Sequence, residues 1–214
     1  MLLQMNRSLW GFLLATLIAV FCRSESAWAS DASGDATQQV KVFHAALMDS
    51  TRLEADFAVR ADALGATIDS VFDLERIARL SVGRHWRRLD DAGRAEYVGL
   101  VRSVVIGTWV SRFDADRGQQ LVILETREVK PGRHIVRTQI VRPGGKKAVL
   151  DYYLRHGRVF NIVADGVSDL SLRRADYAAT IKSSEFVGLL EHLHKQARKA
   201  RETFRGAASD TPDS

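Results

Sequence analysis

The chain has a single cysteine, Cys22, and it falls in a segment expected to be removed. The processed protein would then carry no thiol, which excludes disulfides and thiolate metal sites. Beyond residue 29 there is no apolar run long enough to cross a bilayer. No phosphate loop, zinc-ligand spacing or nucleophile motif occurs. Basic residues are spread along the chain rather than clustered with aromatics, so nucleic acid is not an expected partner.

What is present begins with a targeting pattern. Arg7 supplies a positive start, Leu9 to Phe21 form a short apolar stretch, and Ala27-Trp28-Ala29 gives small residues around a cleavage point. Residues 1–29 are therefore expected to be a cleaved signal peptide, with Ser30 as the mature start. The apolar stretch is short for an uncleaved anchor, and Phe21 is too bulky for lipoprotein processing at Cys22. About 185 residues remain, enough for one domain with a real core. The whole chain carries a formal net charge of +5. Arg7, Arg23 and Glu25 account for +1 of it, leaving a mild excess of +4. That excess is compatible with an anionic membrane surface or an acidic protein partner.

The first half reads as helical. Residues 30–38 are small and polar, a frayed start, and Val40, Phe43 and Leu47 then mark one buried stripe. Residues 50–71 suggest a second short helix and a loop. Asp73 is placed to cap a helix carrying Leu74, Ile77, Ala78 and Leu80. Gly83 should end that helix, and Trp86 should anchor the segment after it. The run from Asp90 to Gly93 opens a long helix reaching about Phe113, with acidic residues where the helix dipole favours them. Its apolar residues, from Tyr97 through Val104 to Trp109, cover far more than one stripe. Such a helix is either central in a packed core or packs on partner helices while walling a lipid cavity.

The second half changes to strands. Residues 119–129, 133–142, 146–155 and 158–168 are separated by Lys130-Pro131-Gly132, Pro143-Gly144-Gly145 and His156-Gly157. Four strands joined by short glycine and proline turns predict an antiparallel meander. Alternation puts Val136, Thr138 and Ile140 on an inner face with Leu150, Tyr152 and Leu154, and with Phe160, Ile162 and Ala164. From Asp169 a helical segment continues the chain, with Leu170, Tyr177 and Ile181 buried. Ser183 to Glu185 should cap a last helix carrying Phe186, Leu189, Leu190 and Leu193. Residues 30–199 are thus one α+β domain, a four-stranded meander packed against a helical subdomain with an apolar cavity between them. Residues 200–214 are expected to be a disordered tail.

Polar residues give little chemistry. His192 and His194 lie two apart on a helix and cannot chelate together. His85, His134 and His156 are expected at element ends, the last two exposed. One catalytic arrangement is open, in which Asp151, Asp165, Tyr152 and His134 supply acid and base in a sheet-bound site. Alternation turns Asp151 and Asp165 away from the apolar face, which argues against it.

The segment Phe72 to Trp86, FDLERIARLSVGRHW, resembles the signature of the MlaC, or toluene-tolerance, family. VRTQIVRPGG (136–145), LDYYLR (150–155) and VFNIVADGVS (159–168) are similar to that family's successive strands, in order. The stretches 110–114 and 167–174 look more like its hopanoid-associated HpnM branch. The sequence looks short between Asp49 and Val71, where many relatives carry a longer helical stretch. The resemblance implies a periplasmic lipid-binding carrier that shuttles a phospholipid or hopanoid between inner- and outer-membrane transport complexes, with transient contact at a membrane surface. It implies no catalytic residue, metal or cofactor. The lipid would lie against Leu150, Tyr152, Leu154, Phe160, Ile162 and Ala164, opposite Tyr97, Val101 and Val104. A small-molecule enzyme on a similar scaffold and a non-catalytic periplasmic adaptor are the alternatives.

Overall fold

The computed structural model describes residues 25–209 apart from 54, 115 and 116. Most of the expected signal peptide, including Arg7, Leu9 to Phe21 and Cys22, lies outside them.

Carboxylates start three helices, two of them at Asp73 and Asp90 where the sequence places them. Helix α1 spans Glu25–Arg52 and α2 spans Phe57–Val71, the latter capped by Asp56, which accepts the Val59 amide at 3.0 Å. Helix α3 (Leu74–Val82) is capped by Asp73 on the Arg76 amide at 3.0 Å. It ends at Gly83, whose φ of 54° favours a residue with no Cβ. A 3-10 turn, Gly83–Arg88, then buries Trp86. Asp90 accepts the Gly93 amide at 2.8 Å and opens α4 (Asp91–Arg112).

Strands β1 (Gln120–Lys130), β2 (Arg133–Val141), β3 (Lys147–Arg155), β4 (Arg158–Ala164) and the two-residue β5 (Val167–Ser168) form one antiparallel sheet in sequence order. The expected meander is present, and its fourth strand divides at the Asp165-Gly166 turn. Cross-strand pairing sets Leu150 beside Thr138 and Ala164, and Tyr152 beside Val136 and Ile162. Thr138, Val136 and Tyr152 are fully buried.

Alternation fails at one place in β4. A register shift leaves Phe160 without a direct partner, and Val159 instead pairs with Leu154. Val159 is fully buried and Phe160 only half-buried. The bulge lets Val159 receive the chain entering α3, since its carbonyl accepts the Asp73 amide at 2.8 Å.

Three expectations need correction. The stretch 30–38 is helical rather than frayed: Ala36 is fully buried, and the Thr37 hydroxyl lies 2.7 Å from that of Thr126 on β1. His134 is buried, not exposed, because it pairs with inward-facing Leu154 beneath α1 and β1. The tail expected to be disordered from residue 200 is helical as far as Ser209. Phe204 accounts for that: it is buried against Phe57, ring centres 5.8 Å apart, and covers the Arg60 guanidinium at 4.9 Å. Arg60 in turn donates to the carbonyls of Phe113 and Asp114 at the end of α4, where orphan carbonyls need donors.

The last helical stretch, α5 (Asp169–Ser209), breaks at Ser184 and Glu185. Across the break the Asp176 carboxylate meets His192 Nε2 at 2.9 Å and the Gln196 amide at 3.3 Å. Those partners lie on either side of the break, so α5 is a helical hairpin of two antiparallel arms. The expected cap at Ser183 to Glu185 is the reversal itself. The core is the space between the inner face of the sheet and the helices, with α4 at its centre.

Candidate functional site

Between the sheet and the helices runs a narrow apolar slot. Its floor is Leu150 on β3 with Val159, Phe160, Ile162 and Ala164 on β4. Phe72 and Ile77 close one side, Val105, Thr108, Trp109 and Arg112 of α4 the other, and Asp169, Leu170 and Arg173 of α5 cover it. The volume open to the centre of a water molecule is about 70 Å³, room on the order of five waters. A whole lipid chain needs the helices to part from the sheet.

Of the nine residues expected to line a cavity, Leu150, Phe160, Ile162 and Ala164 do. Tyr152 and Leu154 share the inner face but are fully buried in the core. On α4 the expected face is displaced. Tyr97 donates to or accepts from Ser81 at 2.7 Å and packs on Phe186 of α5, and Val101 is fully buried. Val104 faces a second, polar groove between α4 and the arms of α5. Val105 and Trp109 line the slot instead. Apolar residues cover much more than one side of the helix, so the sequence offers no marker of which of them meet the sheet.

Phe72 and Ile77 were legible as helix-entry residues but not as lining. His44 went unread. It is buried on α1, its Nε2 3.0 Å from the Tyr152 hydroxyl, and burial pushes its pKa down to about 4. Burial also raises the Tyr152 and Tyr97 phenols above their ordinary values.

The residues of the catalytic alternative are not gathered at the slot, and none lines it. Asp151 is held by Arg137 in a two-pronged pair at 2.8 and 3.0 Å. Asp165 sits in a turn and accepts the Val149 amide at 2.8 Å. Tyr152 is occupied by His44, and His134 Nε2 stands 3.9 Å from Glu128. At the slot itself the charged groups already neutralise one another in part. Arg173 is desolvated, yet Asp169, 2.6 Å away, together with Tyr177 holds its guanidinium pKa above the ordinary value. Arg112 is the remaining cation at the lining.

Helices cover the inner face of the sheet and leave a mostly apolar slot between them, with Thr108, Arg112, Asn161, Asp169 and Arg173 as its polar members, an arrangement that suits a binding protein for an apolar ligand. Residues 37–195 match the family model described as MlaC protein, and the chain belongs to the MlaC family. No protein of curated function matches it in sequence. Among solved structures it is similar to the phospholipid-binding protein from Ralstonia solanacearum in complex with a phospholipid, with a TM-score of 0.67 at 17% identity. That match covers 79% of this chain and 98% of the other, and it shows a shared fold.

Proposed function

We propose that the protein is a periplasmic lipid carrier that holds the apolar part of a phospholipid or hopanoid-type lipid in the slot between β3, β4 and the helices. The slot carries this reading: along the sheet its lining is apolar except for Asn161, and its cover belongs to a helical hairpin that reverses at two residues. The family assignment and the phospholipid held by a protein of the same fold support it. The expected signal peptide supports a periplasmic location.

Burying a lipid chain is worth about 0.8 kcal/mol per methylene, so a 16-carbon chain contributes on the order of 10 kcal/mol. The membrane offers the same chain a similar gain. A carrier therefore needs no reacting group, only a slot whose attraction for the chain balances the bilayer's. Transport complexes in the inner and outer membranes would tip that balance by holding the hairpin open or shut. Loading a chain then requires the slot to widen beneath Asp169, Leu170 and Arg173.

Lipid extraction and mass spectrometry of the mature protein as purified test the proposal. A lipid at near-equal stoichiometry is the expected result. Protein that stays empty after exposure to phospholipid and hopanoid vesicles would favour the adaptor instead.

A further inference from the structure

One end of the sheet carries its cations in line on the face turned away from the slot. Lys130 on β1 pairs with Arg133 on β2, Arg133 with Arg155 on β3, and Arg155 with Arg158 on β4. Their strand neighbours His134, Leu154 and Val159 are buried on the inner side, so alternation turns these cations outward. Arg127 shares the outward face, opposite Ile135. The described core takes its residues of β1, β2 and β3 from the other side of the sheet. Like charges directly opposite one another destabilise a sheet. Farther along the same face that cost is avoided, because Arg137 is held by Asp151 at 2.8 Å and lies 3.4 Å from Glu125. In the row itself Arg158 is engaged, donating to the carbonyls of Asp69 and Phe72. Among the described residues Arg127, Lys130, Arg133 and Arg155 make no ion pair. Glu128 lies on the inner side and accepts the Gly132 amide at 3.0 Å, and Asp35 approaches the turn at Gly157 without pairing with any of them. Beside the row the bulged Val129 is 42% exposed, and Pro131 is exposed in the turn.

We propose that this end of the outward face is a docking surface for an anionic lipid bilayer. The inference concerns the side of the sheet opposite the slot and does not depend on what the slot holds. Neighbouring strands lie about 4.8 Å apart, so the row spans about 14 Å. Charges set side by side on one sheet face suit a planar array of phosphates better than the shaped surface of a single protein. A bilayer supplies the counter-charge that the sheet itself withholds, and it relieves the repulsion along the row. Long lysine and arginine stems let the charged ends reach headgroups, while Val129 and Pro131 meet the interface between headgroups and chains. The contact is electrostatic and shallow, which makes it reversible and sensitive to salt.

The test is co-sedimentation of the mature protein with vesicles of phosphatidylcholine, alone or mixed in equal parts with phosphatidylglycerol. Wild type should pellet with the mixed vesicles and not with phosphatidylcholine, and high salt should release it. Each basic residue near an anionic surface strengthens binding about fivefold, so Lys130→Gln/Arg133→Gln/Arg155→Gln should weaken it about a hundredfold. Relieved of like-charge repulsion, that variant should melt no lower than wild type. Arg133→Glu, a single change at an exposed side chain, gives an independent reading and should weaken binding at least about tenfold. The control is Arg142→Gln/Lys146→Gln/Lys147→Gln, which removes the same charge from exposed side chains at the opposite end of the sheet. It should bind within about twofold of wild type if the row, not net charge, makes the contact. Equal weakening by the two triple variants overturns the inference, as does wild type that ignores the mixed vesicles. Salt-sensitive retention on immobilised polyglutamate without vesicle binding would give the row to an acidic protein partner and overturn it too.

Discussion

His44 on α1 and Tyr152 on β3 meet in the core, imidazole Nε2 to phenol oxygen at 3.0 Å, and tie the first helix to the inner face of the sheet. Because burial holds the imidazole neutral with a pKa of about 4, the pair links stability to pH. The unfolded chain takes up the proton at an ordinary histidine value near 6.5, the folded one only near 4. Stability contributed by neutral His44 is complete above pH 6.5, falls as pH drops through that window, and stops falling below about 4. The loss across the window is about 3 kcal/mol. Urea titrations from pH 7.5 to 4 should show this slope in wild type and a flatter one in His44→Gln. Parallel profiles would mean that another group sets the acid limit.

Phe204 supplies a second prediction. It seals the Phe57 ring and the Arg60 guanidinium, so the C-terminal helix is part of the fold up to that point. Phe204→Ala should cost about 3 kcal/mol, the lower end for a buried phenylalanine. Truncation after residue 199 should lower the melting temperature at least as much, whereas truncation after 209 should not. A chain ending at 199 with unchanged stability would return the segment to the role of a tail.

Much of this architecture was legible because local chemistry dictated it. Asp73 and Asp90 each accept an amide three residues on, and Gly83 takes a left-handed φ, so the helix limits could be read from residue types alone. The strand turns likewise depend on glycines with positive φ at 132, 144, 145 and 157. The features that could not be read depended on neighbours distant in sequence. Alternation mispoints Val159 because the bulge at Phe160 is set by the approach of α3. Tyr97, Val101 and Val104 turn away from the slot on a helix whose apolar residues cover more than one side, and α5 packs on Tyr97 and borders Val104. His44 falls on the buried stripe of Val40, Phe43 and Leu47, but nothing local marks the Tyr152 hydroxyl that it meets, and Phe204 hides in a polar run.

The hairpin reversal in α5 gives a third prediction. Glu185 sits at φ 58° and ψ −168°, a conformation that suits glycine and costs other residues about 1–3 kcal/mol. Gly188 lies one turn on, where an added Cβ would stand 2.3 Å from that of Ser184. Glu185→Gly should therefore stabilise the protein by about 1 kcal/mol, allowing for the greater freedom of glycine when unfolded. Gly188→Ala should destabilise it, since the backbone at the reversal must shift. Thermal melts with opposite signs for the two variants are the expected result. If Glu185→Gly lowered the melting temperature, the reversal would have to be drawn differently.

Ala164 offers the sharpest test of the slot. It is the smallest residue on the floor, half-buried at the end of β4, beside Leu150 in register and among larger apolar side chains. A Trp placed there projects a large ring into the space where a chain would lie. In a filled core such overpacking costs about 1–3 kcal/mol. In a slot that already leaves room for several waters and widens to admit lipid, the ring displaces ligand rather than protein. Ala164→Trp should then melt close to delipidated wild type while carrying little lipid as purified. Tyr152→Trp, at a fully buried position on the same face, is the contrast and should lose stability outright. Lipid counted by mass spectrometry beside calorimetric melts of both delipidated proteins separates the effects. Unchanged lipid content in Ala164→Trp would mean that the chains lie elsewhere, and a stability loss matching that of Tyr152→Trp would mean that the floor of β4 is ordinary core.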